Sequence, residues 1–265
     1  MRKFLKRKQR SEMTPPSVNI FFDLETSGLS FKTNKIIQVG AYCPQLQATY
    51  SRYVRIDTPL TALITELTGI NDVMLEEGES ESVVLDSFFA FIRTCITQSQ
   101  SQGAVLVSYN GFKFDEAFLD VACKRVNSNN LYTRAKRAGV DKFVDALVWV
   151  RNYLPGHFIS NLPTNRFGKP SYRQRDVYFA MFAEMYEEHR ADSDCTALAR
   201  ICVALPMTYD TGRHIRLTGL RPQVASNKKL SKRKLSKPPI KKVVETMHVL
   251  SFLRTLHQNG EEMLE

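Results

Sequence analysis

Asp23 and Glu25 stand two residues apart at the end of an apolar run, NIFFDLETSG. In an extended chain residues i and i+2 point to the same face, so the two carboxylates share one side of a strand. An unpaired ionised carboxylate in a buried strand costs several kcal/mol, so the pair requires a cation or a network of donors. Two further clusters carry chemistry. Asp115 follows a short apolar stretch in YNGFKFDEAFL, and His189 precedes Asp194 by five residues in EEHRADSDCTAL. Four carboxylates offer the hard oxygen ligands that two Mg²⁺ or Mn²⁺ ions take, and a histidine, with an ordinary pKa of about 6.5, can accept a proton from an attacking water. That is the set a two-metal phosphodiester hydrolase needs. Taken singly each member has a plainer reading: Asp115 as a helix N-cap, His189 as a solvated side chain, and Asp192 as a neighbour competing with Asp194.

These residues need elements to bring them together. Residues 18–24 read as a buried strand, 35–43 as a second joined to it through a hairpin at 28–35, and 52–56 as a third. A short helix running into a Thr-Gly loop is expected around 60–70, and the apolar spacing of 82–97 fits a helix. AVLVS at 104–108 is apolar up to its closing serine, as suits an inner strand covered on both faces. The chain then turns through Tyr109-Asn110-Gly111 into a helix at 115–126. Residues 143–153 fit a strand or a helix, 154–175 a loop, and 176–188 and 192–205 two helices. Hairpin strands, a crossover helix, another strand and covering helices amount to an α/β fold, a mixed central sheet with helices on both faces.

FFDLETSGL resembles the first motif of the DEDDh 3′-to-5′ exonucleases of the DnaQ-like, ribonuclease H-like superfamily. NGFKFD resembles the second, HRADSD the third with its His-x4-Asp spacing, and ITELTGI the Thr-Gly substrate loop. The match covers about 18–205 and is most similar to the three-prime repair exonucleases. The resemblance implies a two-metal mechanism in which Asp23 bridges both ions, Glu25 and Asp194 hold the ion bearing the nucleophilic water, and Asp115 holds the other. His189 would be the general base, Mg²⁺ the natural ion with Mn²⁺ as substitute, and nucleoside 5′-monophosphates the product. Leu29 and Ile70 would wedge against terminal bases, and Thr26, Thr68 and Gly69 would offer donors to the 3′ end. Asn110 belongs to the second motif, and Lys113 is placed for a phosphate. Two departures bear on substrate preference: Tyr109 precedes the Asn-Gly pair, and RDVYFAMFAEMYEEH stands where the repair enzymes carry a Ser-Leu-x-x-Leu-Tyr helix.

The whole chain of 265 residues carries a formal charge of +10, yet residues 17–206 hold 19 Lys and Arg against 21 Asp and Glu, a net of −2. The positive charge is therefore carried by the ends. Six of the first ten residues are basic, and 213–242 contains no acid. Such runs attract polyanions and weaken with salt. The expected organisation is a basic arm at 1–16, the exonuclease domain at 17–206, and a basic linker with an amphipathic helix at 207–265, where Val244, Met247, Leu250 and Leu253 fall at helical spacing. Expected partners are single-stranded DNA 3′ ends, with RNA an alternative, a second copy of the chain, and a protein bound through the tail; no membrane is expected, because no apolar run approaches the roughly 20 residues a span requires. Cys43, Cys95, Cys123, Cys195 and Cys202 lack CxxC spacing and read as reduced thiols in an intracellular protein, nuclear or cytoplasmic, with the basic ends favouring the nucleus. Three functional readings compete: an exodeoxyribonuclease, an RNA-trimming enzyme of the same fold, and a non-catalytic nucleic-acid scaffold.

Overall fold

A computed structural model describes residues 17–165, 167–205, 207–209 and 212–218. The expected arm at 1–16 and the helix at 243–256 lie outside these residues. The sheet has six strands in the order β3-β2-β1-β4-β5-β6. Strand β1 (Val18–Thr26) pairs antiparallel with β2 (Ile36–Cys43), which pairs antiparallel with β3 (Ala48–Tyr53). On its other side β1 runs parallel to β4 (Ala104–Ser108), and β4 parallel to β5 (Val140–Asp145). The central β4 is buried at every position, as its apolar sequence requires. The third strand lies earlier than the expected 52–56, paired directly across from β2.

Two short helices, α1 (Ala62–Thr68) and α2 (Asp72–Glu76), follow β3. Alternation along β1 divides the core. Ile20, Phe22 and Leu24 pack into one cluster with Phe88 of α3 (Glu81–Gln98), Leu119 of α4 (Asp115–Asn127) and Ala135 of α5 (Leu131–Arg137). Phe21 points the other way, into a cluster with Trp149 of α6 (Ala146–Tyr153), Val177 of α8 (Gln174–Phe182) and Leu198 of α9 (Ala191–Ala204); the short α7 (Gly156–Ile159) lies between α6 and α8 in the chain. The strand period of two therefore puts Asp23 and Glu25 on the α9 side of the sheet, where Asp194 lies in the first turn of that helix. Residues 143–153 prove to be both readings in turn, the end of β5 and then α6. α7 lies inside the stretch expected to be loop, and α8 ends at Phe182 rather than continuing to 188.

The chain does not leave the fold at residue 206. A three-residue strand, β6 (Ile215–Leu217), adds antiparallel to β5, so the expected linker does not begin at 207. All five cysteines are free and buried.

Candidate active site

The Asp23, Glu25 and Asp194 carboxylates place an oxygen each within 4.8 Å of one another. Two come from the end of β1, the third from the first turn of α9, and close packing of α9 on the sheet makes the meeting possible. Gly40 of β2 lies under the start of that helix: a Cβ built there would stand 2.4 Å from the Ala191 carbonyl carbon. Gln38, two residues earlier on β2, accepts a hydrogen bond from the Ala191 amide at 3.2 Å, while its own amide nitrogen donates to Ser51 Oγ at 3.0 Å. A strand side chain thereby satisfies one of the orphan donors at the helix start and fixes where α9 begins.

Asp194 is held from the other side by residues that the motif spacing does not reveal. Tyr186 donates its hydroxyl to Asp194 Oδ1 at 2.8 Å, and Gln174 Nε2 reaches the Asp194 carbonyl at 2.8 Å and Oδ1 at 3.3 Å. The backbone amide of His189 is directed at the same carboxylate. His189 adopts a left-handed φ of 62° and leaves its side chain half exposed at the rim of the site, with Nε2 3.7 Å from Glu188. Asp192 turns away to Arg190 at 3.3 Å and does not join the cluster.

Asp115 approaches from the opposite helix layer. It is buried, and its Oδ1 has no hydrogen-bond partner among the described residues. The turn that delivers it is fixed by Asp145, whose carboxylate accepts from the amides of Asn110 at 3.0 Å, Phe112 at 3.3 Å and Leu147 at 3.0 Å. Asn110 is left-handed at φ 64°, and a Cβ on Gly111 would stand 1.8 Å from Ser108 Oγ, so this turn requires glycine. Asp145 itself was recoverable from the sequence by the argument applied to Asp23, since it too ends a buried strand, KFVD. From β6, Arg216 pairs with Glu116 at 3.1 Å and lies 3.9 Å over the Phe112 ring, while the His214 carbonyl accepts from the Asp145 amide at 2.8 Å. A segment expected to be linker thus buttresses the second motif.

Burial and mutual repulsion raise the pKa values of these acids. Burial, then the charges of Asp115, Asp194 and Glu25, pushes Asp23 well above the usual carboxylate range. Burial, then Asp194 and Asp115, pushes Glu25 up to about 8. Burial raises Asp115 to about 8 against the pull of backbone amides, Leu24's among them. Asp194 rises through burial to about 6, moderated by the Tyr186 hydroxyl and His189. Four carboxyl groups that cannot ionise together unaided, one with an orphaned buried oxygen, fit a site for divalent cations.

The acids floor a cavity of about 310 Å³ whose wall includes Thr26, Leu29, Ile64, Leu67, Thr68, Asn110 and His189. Leu29 is 86% exposed at its mouth. Thr26 and Thr68 are buried; Thr26 donates to the Gly28 carbonyl at 2.8 Å, and Thr68 to the Ile64 carbonyl at 2.9 Å. Gly69 caps α1 with φ 69° and does not line the cavity. Ile70, expected to wedge against bases, is instead a core residue, 2% exposed and packed with Ile37 and Leu75. Ile64 and Leu67, on the preceding helix, present the apolar surface expected of Ile70. Lys113 is exposed in an adjoining groove rather than in the cavity over the acids.

The RNase_T exonuclease family matches residues 20–202. Curated relatives include the PolC-type DNA polymerase III of Mycoplasma pneumoniae, 28% identical over 187 residues covering 69% of this chain and 11% of that protein. The PolC-type polymerase of Halalkalibacterium halodurans is 37% identical over 110 residues, 40% of this chain and 7% of that protein. The chain thus spans only about a tenth of the curated relatives it matches. Similar solved structures include E. coli exonuclease I in complex with a dA16 oligonucleotide, with a TM-score of 0.54 at 23% identity over 71% of this chain and 40% of that one. Exonuclease I from Methylocaldum szegediense gives a TM-score of 0.54 at 22% identity, over 70% of this chain and 40% of that one. With the sheet order above, these matches establish a ribonuclease H-like α/β fold, in a fold family whose activity depends on divalent metal. The chain belongs to the RNase_T family of DnaQ-like exonucleases, which supports a nuclease activity for it.

Proposed function

We propose that this protein is a metal-dependent 3′-to-5′ exonuclease that releases nucleoside 5′-monophosphates from single-stranded DNA ends. The observation that carries the reading is the convergence of Asp23, Glu25 and Asp194 within 4.8 Å beside the buried Asp115, whose Oδ1 lacks a partner among the described residues. Divalent ions bound there would supply Lewis-acid stabilisation of the charge that develops on the scissile phosphate. Asp23 would contribute to both ion positions, Glu25 and Asp194 to one, and Asp115 to the other. Tyr186 and Gln174 keep the Asp194 carboxylate turned inward, which fixes its free oxygen toward the cluster. His189, at the rim beside Asp194, would take the proton from the attacking water at an imidazole nitrogen. Leu29, with Ile64 and Leu67, supplies an apolar wall for the terminal base, and Thr26, Thr68 and Asn110 offer polar groups near the 3′ end. The oligonucleotide-bound exonuclease I of the same fold supports DNA as the polymer.

The test is digestion of 5′-labelled single-stranded DNA with Mg²⁺, with product identification by chromatography. A descending ladder with 5′-monophosphate release, abolished by chelator and reduced at least about a thousandfold by Asp194→Ala or His189→Ala, is expected. Unchanged rates in both variants would sink the mechanism. Parallel RNA oligomers decide the sugar preference.

A further inference from the structure

After α9, which carries the last acid of the site, the chain returns to the free edge of β5 as β6. Contacts on either side of the strand hold it there: His214 Nε2 meets the Thr208 carbonyl at 2.8 Å, and the Thr218 amide donates to the Asp141 carbonyl at 3.1 Å. We infer that Arg216 of this strand is a positioning residue for Asp115, and through it for the ion that Asp115 would hold. The inference rests on the exonuclease reading above.

The two walls of the site aim their acids differently. Asp194 is turned inward by the side chains of Tyr186 and Gln174. Asp115 is not aimed in that way: its Oδ1 lacks a partner among the described residues, and the donors directed at its carboxylate are the backbone amides of Leu24 and of Asp115 itself. Its direction is therefore set by the backbone that carries it, the turn at 110–114 and the first residues of α4.

Arg216 grips that backbone on both flanks. Three residues before Asp115, the Phe112 ring lies under the guanidinium at 3.9 Å; one residue after it, the Glu116 carboxylate accepts from Nη1 at 3.1 Å. Glu116 is buried, and Tyr132 donates to the same oxygen at 2.5 Å, while Oε1 has no partner among the described residues. Withdrawing the guanidinium would strand a buried charge, so Glu116 would have to move and take the first turn of α4 with it. A closed circuit of contacts results. It runs from the His214 carbonyl to the Asp145 amide, from the Asp145 carboxylate to the amides of Asn110 and Phe112, and from the Phe112 ring back to Arg216. Pairing of β6 with β5 is a main-chain ladder that needs no particular side chain, so it does not by itself call for an arginine at this position.

The experiment uses the full chain and compares Arg216→Ala, Arg216→Lys and Phe112→Leu with Thr218→Val. The last removes a hydroxyl that donates to the Asp141 carbonyl at 3.2 Å, beside the same strand but away from the second motif. Mn²⁺ binding is titrated by calorimetry without DNA, and kcat and KM are measured on single-stranded DNA with Mn²⁺. Arg216→Ala should weaken Mn²⁺ binding about tenfold to a hundredfold, lower kcat by a similar factor and leave KM within about twofold. Arg216→Lys, which keeps a charge opposite Glu116, should recover part of the loss, and Phe112→Leu should weaken Mn²⁺ binding about threefold. Thr218→Val should match the wild type. Wild-type Mn²⁺ affinity in Arg216→Ala would overturn the assignment; if that variant does not fold, wild-type affinity in both Arg216→Lys and Phe112→Leu would do so. An equal loss in Thr218→Val, the mark of a loosened sheet edge, would overturn it as well. Absence of Mn²⁺ binding by the wild type would overturn both this assignment and the exonuclease reading. Absence of cleavage by every form, with Mn²⁺ affinity still lowered by Arg216→Ala and not by Thr218→Val, would overturn the exonuclease reading alone.

Discussion

Gly40→Ala tests whether the catalytic geometry depends on how closely α9 approaches the sheet. The new methyl carbon would stand 2.4 Å from the Ala191 carbonyl carbon, 2.6 Å from its oxygen and 2.7 Å from its Cβ, where ordinary contact begins at 3.4 Å. Two of these neighbours are backbone atoms at a helix start, so no flexible side chain can yield. Relief requires the first turn of α9 to retreat by about 1 Å, which carries Asp194 away from Asp23 and Glu25. A displacement of that size in a catalytic constellation costs roughly a hundredfold in rate, and overpacking about 1–3 kcal/mol in stability. The assay pairs kcat/KM on single-stranded DNA with Mn²⁺ affinity by calorimetry and a thermal melt. Gly156→Ala, whose Cβ would meet nothing within 4 Å, is the control and should leave activity and Mn²⁺ affinity unchanged. A Gly40→Ala protein that retains wild-type activity and Mn²⁺ affinity would refute the idea that strand-to-helix distance sets the ligand geometry.

Tyr186→Phe removes the hydroxyl that holds Asp194 Oδ1 and should weaken both Mn²⁺ binding and activity by about tenfold to a hundredfold, as losses behind a ligand do; unchanged Mn²⁺ affinity by calorimetry would contradict it. A pH dependence follows from the proton-holding acids. Glu25 and Asp115 are pushed up to about 8 and Asp194 to about 6, above their unfolded values, so the folded metal-free protein binds protons more tightly than the unfolded chain. Their contribution to stability is fully present below the ordinary carboxylate range, near pH 4, and is lost as pH rises toward 8. Saturating Mg²⁺ offsets that loss, so the rise in Tm on adding it should be larger at pH 8 than at pH 5.5. The difference should be on the order of 5 °C, because each tenfold change in proton affinity is worth about 1.4 kcal/mol and a domain of this size moves about 2–4 °C per kcal/mol. An equal rise at both pH values would show that the acids are not protonated in the metal-free state.

The first-motif pair was legible because a strand's period of two is rigid: once Phe21 and Phe22 are assigned to opposite faces, Asp23 and Glu25 must share one. β4 matched its expected bounds because four consecutive apolar residues and a serine between turn signals leave little else. The contacts that aim these acids were not legible, since Gln38, Gly40 and Gln174 act across long separations and Tyr186, eight residues before Asp194, belongs to no local pattern. Ile70 misled because its position after the Thr-Gly pair is compatible with either face of the turn, and only the packed Ile37 and Leu75 decide it. β6 was missed because three residues are too few to show alternation, and a basic stretch reads as tail until Glu116 is placed opposite Arg216.

His189 has two separable parts: its amide is directed at the Asp194 carboxylate, while its ring stands half exposed at the opening. On the proposed mechanism, trimming the ring would silence chemistry while leaving the acid cluster in place, whereas replacing Asp194 would also strand the Tyr186 and Gln174 donors. For capturing an intact strand in place, the histidine is accordingly the better residue to sacrifice.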